Sequence, residues 1–102
     1  MNIPIVSPQN AGRLVRAVRK TEQLRQDDAA GAMGVSDVFL WKLERGSPGV
    51  RLDKLLQVFH ALGIKLSAEV SDDAADLYHA LMAASATRAK RRKSQPAKDA
   101  PT

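Results

Sequence analysis

The chain has 102 residues, the length of one small domain with a modest hydrophobic core, and it contains no cysteine for a disulfide or a thiolate metal site. Its net charge of +5 resides in residues 88–102, which carry six Lys or Arg and one Asp, whereas residues 1–87 carry ten basic and ten acidic groups. No apolar run is long enough to span a membrane and no signal peptide is evident, so we expect a soluble, cytoplasmic protein whose total charge does not by itself predict nucleic-acid binding.

An N-terminal arm and a first helix open the chain. Residues 1–6 are short and apolar, which fits a frayed terminus or a brief edge strand. Ser7 followed by Pro8 is typical of a helix N-cap and first helical position, and predicts a helix that runs to about Glu22. The residues expected to face the core are Leu14, Ala17 and Val18.

The most informative stretch is the sequence QDDAAGAMGVSDVFLWKLERG, which predicts two short helices at residues 26–33 and 37–45. Gly34 suits the left-handed backbone of a tight turn, Ser36 can cap the second helix, and Gly46 is a typical C-terminal stop. Two short helices that meet at a glycine turn are a helix-turn-helix signature. The residues expected to point inward are Ala29, Ala30, Met33, Val35, Leu40 and Leu43.

The other side of the second short helix is unusual for a surface that meets only water. It carries an apolar Val38 and a Trp41, which soluble helices seldom expose together on so short an element. This face is therefore predicted to touch a partner. Its residues are Asp37, Val38, Trp41, Lys42 and Arg45.

A fourth helix and an alternating segment follow. The helix is predicted at residues 51–62, with Gly63 as its stop. Residues 64–70, IKLSAEV, alternate apolar and polar side chains at the period of a β-strand, and a single strand needs a partner in residues 3–6 or in the same segment of a second chain. The inward positions are Leu52, Leu55, Phe59 and Leu62 in the helix, and Ile64, Leu66, Ala68 and Val70 in the strand.

A fifth helix and a basic tail end the chain. Ser71, Asp72 and Asp73 are a strong helix start, and the helix is predicted over residues 71–87. Residues 88–102 are basic, polar and proline-bearing, and are predicted to be disordered when free. Three interpretations of this tail stay open: a solvated end, a nonspecific DNA contact, or a contact with an acidic protein surface.

The stretch LRQDDAAGAMGVSDVFLWKLERG and the following VRLDKLLQVFHALGI resemble the Cro/C1-type helix-turn-helix domain of the XRE family, over roughly residues 12–64. The strand directly after the fourth helix makes the chain most similar to HipB-like antitoxins. The resemblance implies an all-α, five-helix fold, with a helix-turn-helix domain at residues 7–70 and a C-terminal helix at residues 71–87. One short strand, residues 64–70, would pair across a homodimer. The resemblance also implies a repressor of its own operon that binds a palindromic operator in double-stranded DNA and a HipA-like kinase toxin.

The resemblance assigns roles to individual residues. The base-reading residues would be Asp37, Val38 and Lys42. The phosphate-contacting residues would be Arg25, Gln26, Ser36, Trp41, Arg45, Ser47 and Arg51. Arg19 and Glu44 would form a buried ion pair that joins the first helix to the end of the third. Dimerisation would rest on Ile64, Leu66, Ala68 and Val70.

Two of these residues admit another interpretation. Asp37 adds negative charge next to a duplex, and it can instead cap its helix and compensate the helix dipole. Trp41 is bulky where small polar residues are common in the family, and it can instead pack on the surface or contact a protein partner.

Three other functional classes are alternatives to a DNA-binding antitoxin. An enzyme is not expected, because His60 and His79 lie on separate helices without a second ligand or an ordered carboxylate pair, and neither a metal nor a cofactor is expected. A stand-alone Cro/C1-type regulator without a toxin stays open. So does a helix-turn-helix fold that is used only to bind protein through its third helix.

Overall fold

The computed structural model describes the backbone of residues 1–94 and the side chains of residues 1–86. The all-α, five-helix prediction is confirmed, and no strand occurs in the described part of the chain. The chain divides after Leu66 into two compact units, the first with four helices and the second with one. The helices are α1 (Pro8–Thr21), α2 (Gln26–Met33), α3 (Asp37–Glu44), α4 (Leu52–Ala61) and α5 (Asp72–Ser94).

Local capping signals set the helix ends of the first unit. The Ser7 hydroxyl accepts a hydrogen bond from the Asn10 N–H at 3.1 Å at the start of α1, and the Ser36 hydroxyl accepts one from the Phe39 N–H at 3.0 Å at the start of α3. Gly34 ends α2 with φ of 75°, a left-handed conformation that costs glycine little. These contacts satisfy backbone groups that a helix end would otherwise leave without partners.

The core of the first unit collects one face of each of α1 to α4. Its largest fully buried side chains are those of Val15, Leu40, Leu43, Val58 and Phe59. The inward positions predicted for α2, α3 and the turn between them are all buried. The complete buried apolar set is Ala11, Val15, Ala29, Ala30, Met33, Val35, Leu40, Leu43, Val58, Phe59 and Leu62.

Two predicted core positions were wrong. Ala17 in α1 and Leu52 in α4 are exposed, and the central core residues of those helices are Val15 and Val58 instead. Each residue turns a helix by about 100°, so Ala17 and Val15 lie on different faces of α1. Apolar residues at the edge of a stripe make its centre hard to place from sequence alone.

Helices α1 and α3 approach each other to backbone contact. A Cβ atom at Gly12 would fall on the Leu43 carbonyl oxygen and 3.0 Å from the Glu44 carbonyl oxygen. A Cβ atom at Gly46 would lie 2.9 Å from the Gln9 Cα. Both glycines therefore allow α1 to cross directly over the C-terminal end of α3, which fixes the position of that helix.

Residues 64–70 do not form a strand within the single chain. Ile64 is half-buried against the core and its N–H donates to the Phe59 carbonyl at 2.9 Å. In the described part of the chain, the backbone of residues 65–70 makes no hydrogen bond to another segment, and these residues are exposed. A strand needs a partner for its backbone groups, so pairing across a dimer stays a prediction.

The fifth helix is longer than predicted. It was expected to end near residue 87, whereas α5 continues to Ser94 and includes the start of the predicted disordered tail. Ala, Arg and Lys are good helix formers, and no glycine or proline interrupts them before Pro96. Residues 95–102 of the predicted tail lie outside the described residues. No helix in the described part is both long and apolar enough to cross a membrane.

Candidate nucleic-acid interface

The exposed face of α3 is the most distinctive surface of the first unit. Val38 and Trp41 are exposed to 61% and 48% of their surface, although both are large apolar residues. Their neighbours at helical spacing are polar and exposed, which makes one continuous mixed stripe along the helix. We call this the α3 face, and its residues are Asp37, Val38, Trp41, Lys42 and Arg45.

A cation–π contact organises the C-terminal end of the α3 face. The Arg45 guanidinium lies 4.6 Å from the centre of the Trp41 ring. The indole therefore holds the arginine against the helix surface and restricts its rotamers, so a positive charge is positioned at the end of the α3 face. The spacing of four residues between an aromatic residue and an arginine on one helix could have indicated this contact from sequence.

The start of α3 combines a cap with a hydrogen-bond donor. The Ser36 oxygen accepts from the Phe39 N–H, so its hydroxyl hydrogen is still available to donate to a phosphate oxygen. Asp37 follows it in the first helical turn and is exposed, in the position where a carboxylate stabilises the helix dipole. This placement is compatible with both interpretations of Asp37.

The buried ion pair lies at the junction of α1, α2 and α3. Arg19 Nε donates to Glu44 Oε2 at 2.6 Å and Arg19 Nη2 donates to Glu44 Oε1 at 2.7 Å. Arg19 Nη1 donates to the Leu24 carbonyl at 2.8 Å, so all three guanidinium nitrogens have acceptors. The hydrogen bonds to the Glu44 carboxylate raise the pKa of Arg19, and both residues are buried.

Gln26 belongs to this junction, which its sequence position did not reveal. Its Nε2 donates to Glu44 Oε1 at 3.2 Å, so one amide hydrogen of Gln26 points into the protein. The predicted phosphate contact of Gln26 is left to the second amide hydrogen and to the backbone N–H groups at the start of α2. The network thereby ties the start of α2 to the end of α3.

Three further predicted phosphate ligands lie around α2 and the loop after α3. Arg25 is exposed, with Nε 3.5 Å from an Asp27 carboxylate oxygen. Arg51 makes a two-pronged contact with Asp53, at 2.7 Å and 3.1 Å, and this contact lowers the pKa of Asp53. Both ion pairs are exposed, so a phosphate can compete for either arginine. Ser47 is half-buried in the loop.

A side chain of α4 supports the turn between α2 and α3. Gln57 Nε2 donates to the Met33 carbonyl at 2.7 Å, which satisfies a carbonyl at the C-terminal end of α2. We expect Gln57→Ala to lower the free energy of unfolding by about 1 kcal/mol, because it removes the donor to a partly buried carbonyl. Urea titration beside the exposed His60→Ala on the same helix measures this, and equal midpoints for the two variants would contradict it.

The predicted dimerisation residues do not form one site within a single chain. Ile64 packs on the core, whereas Leu66, Ala68 and Val70 are exposed. Among the residues that the structure describes, no three His, Cys, Asp or Glu side chains come together as possible metal ligands. An apolar cavity of about 290 Å³ beside the N-terminal arm is lined by residues that include Ile5, Val50 and Leu55.

Comparisons with known proteins decide the family. Residues 11–84 match the family described as the helix-turn-helix domain. The chain belongs to this family. It is 45% identical over 62 residues to the uncharacterized HTH-type transcriptional regulator y4mF of Sinorhizobium fredii (strain NBRC 101917 / NGR234). The aligned residues cover 61% of this chain and 82% of that protein.

Solved structures share the fold. The HipB–O4 20mer complex aligns with a TM-score of 0.61 and the HipA–HipB–O2–O3 complex with a TM-score of 0.62, each over 70% of this chain and all of the matched chain. The sequence identity to each is 15%, so these matches establish the HipB-like fold. The helix-turn-helix prediction is thus confirmed by the family match, and the relative with 45% identity is named as an HTH-type transcriptional regulator.

Proposed function

We propose that the chain is a sequence-reading transcriptional repressor that places α3 in the major groove of a palindromic operator. The α3 face carries this proposal. It presents an apolar side chain, a lysine and a positioned arginine along one exposed stripe. The opposite side of α3 is held by backbone contact with α1 and by the buried Arg19–Glu44 ion pair. A rigid helix with mixed side chains suits readout of base edges.

Each residue of the stripe has a distinct chemical role in the proposed complex. Lys42 donates to guanine O6 or N7, and Val38 packs on a thymine methyl group. Asp37 either accepts from cytosine N4 or serves only its own helix. Phosphate contacts flank these base contacts, and they come from the residues named above at the start of α2, the end of α3 and the following loop.

The proposed repressor acts as a homodimer. Residues 64–70 alternate apolar and polar side chains, and Leu66 and Val70 are exposed. Within residues 1–94, the backbone of this segment has no strand partner. Pairing with the same segment of a second copy satisfies the backbone and covers the apolar positions. A twofold dimer then places two α3 helices about one helical turn of DNA apart, which a palindrome requires.

Fluorescence anisotropy on the chain's own promoter and on a scrambled duplex tests sequence reading. We expect Lys42→Ala to weaken promoter binding by about 1–3 kcal/mol while scrambled-DNA binding changes little, because a base contact is lost. Val38→Ala should reduce discrimination at one base pair. The matched control is Lys54→Ala, which removes the same charge from α4. Equal binding of both duplexes by the unmodified chain would contradict the proposal.

The salt series in the same assay separates DNA binding from protein binding. About six phosphate contacts predict a loss of roughly a thousandfold in affinity between about 50 and 200 mM salt. Salt-insensitive binding to a protein, with no promoter preference, would instead favour the use of the α3 face as a protein-interaction surface.

We further propose that the chain is the antitoxin of a pair with a HipA-like kinase toxin, on the support of the HipB-like fold and of a matched structure that contains HipA and HipB. The alternative is a stand-alone regulator. Co-expression with the product of the adjacent gene discriminates them: a kinase whose growth inhibition this chain relieves supports the antitoxin, and an unrelated adjacent gene supports the stand-alone regulator.

A further inference from the structure

Helix α5 exposes an apolar stripe that the proposed DNA binding does not use. Leu77, Tyr78, Leu81 and Met82 are exposed to 54–60% of their surface and lie at helical spacing near the middle of the helix. Apolar side chains clustered on one exposed helix face mark an interaction surface more often than a solvated one.

Charge is strongly polarised along α5. Three aspartates, Asp72, Asp73 and Asp76, lie in its first turns, and residues 88–93 contain five Lys or Arg. The helix therefore carries a charge of −3 at its start and +5 towards its end, with the apolar stripe between them. A partner for this surface needs an apolar middle, a basic segment opposite the acidic start and an acidic segment opposite the basic end.

A second copy of α5 that runs antiparallel has this arrangement. We propose that α5 of one chain packs against α5 of a second copy in antiparallel orientation, with the twofold axis near Leu81. A parallel pair would place −3 beside −3 and +5 beside +5, whereas the antiparallel pair sets each acidic start beside a basic end. This contact does not depend on DNA binding, and it extends the proposed dimer beyond residues 64–70.

Side-chain size supports the same register. With Leu81 on the axis beside its own copy, Leu77 faces Ser85 of the second copy and Tyr78 faces Ala84. Large side chains therefore meet small ones on either side of the axis. In the same register Asp73 lies opposite position 89, within the basic segment. A twofold contact between identical surfaces closes at two copies and leaves no open end for further assembly.

Other occupants fit the helix less well. An anionic membrane would attract the basic end but repel the acidic start, and an unrelated helix would have to match the charge gradient and the order of side-chain sizes together. These alternatives become outcomes of the experiment below.

The absence of cysteine from the chain makes the register directly measurable. In the full chain, Leu81→Cys places two thiols at the axis, whereas the two cysteines of Ala74→Cys would lie about 21 Å apart along the helices, far beyond disulfide reach. The double variant Ala74→Cys with Arg88→Cys brings the two positions opposite each other again. Under mild oxidation we expect linked dimers from Leu81→Cys and from the double variant, at about tenfold the yield of Ala74→Cys alone.

Each outcome has a defined meaning. Linking at Ala74 as efficiently as at Leu81 would indicate parallel helices and overturn the proposal. Failure to link in both Leu81→Cys and the double variant, with unchanged circular dichroism, would also overturn it. In that event, binding of the chain to vesicles of anionic lipid would indicate that the stripe contacts a membrane. A dimer in sedimentation would indicate that dimerisation depends on residues 64–70. Promoter binding of the same variants reports separately on the proposed repressor function.

Discussion

Replacing Glu44 with alanine should lower the free energy of unfolding by about 3–5 kcal/mol, because the change leaves the buried Arg19 guanidinium without its carboxylate partner. For a domain of this size such a loss corresponds to a melting temperature lower by about 12 °C or more. The Gln26 amide also loses its acceptor. Thermal unfolding followed by circular dichroism measures the effect.

The control for this prediction is Lys42→Ala, an exposed substitution on the same helix. It should change the free energy of unfolding by no more than about 0.5 kcal/mol. A double variant, Arg19→Met with Glu44→Leu, removes both charges together. It should recover much of the lost stability, because no buried charge is then left without a partner. Recovery would remain partial, because the Leu24 carbonyl and Gln26 lose partners. An unchanged melting temperature in Glu44→Ala would contradict the structural role of the pair.

The local part of the fold was predictable because its signals act over a few residues. Gly34, Ser36 and Gly46 each impose their own backbone conformation or cap, and the boundaries of α2 and α3 follow from them to within one residue. The outward position of Trp41 followed equally from helical periodicity. Its contact with Arg45 is also local, because residues four apart on a helix are neighbours, and the sequence therefore contains the signal for it.

The parts that were missed depend on contacts between segments that are distant in sequence. Gln26 looks like a solvent-facing helix start until Glu44, 18 residues later, is placed beside it. Gly12 looks like a weak point in a helix until the end of α3 is packed on it. Burial of Val15 in place of Ala17 likewise follows from where α1 crosses α3. Periodicity defines a stripe on each helix, but the neighbouring helix selects which edge of the stripe becomes the centre of the core.

Gly12→Ala should destabilise the protein, although the same substitution in an ordinary helix is favourable. Alanine is better than glycine inside a helix by about 0.5–1 kcal/mol. In α1, however, the added methyl group would fall on the Leu43 carbonyl oxygen and lie 3.0 Å from that of Glu44, and backbone atoms cannot rotate away as a side chain can. Helices α1 and α3 must separate, which we expect to cost about 3 kcal/mol, the upper part of the range for overpacked cores.

Gly31→Ala is the matched control, because Gly31 lies inside α2 and nothing lies within 4 Å of the position of its added Cβ. It should stabilise the protein by about 0.5–1 kcal/mol, so the two variants are expected to differ in sign. Urea unfolding of both variants measures this, and stabilisation by Gly12→Ala would show that the helices do not cross at this glycine. Because the separation also displaces α3, Gly12→Ala should weaken promoter binding at temperatures where it is still folded, whereas Gly31→Ala should not. The contact of Gly12 with α3 would then determine both the stability of the first unit and the orientation of its α3 face.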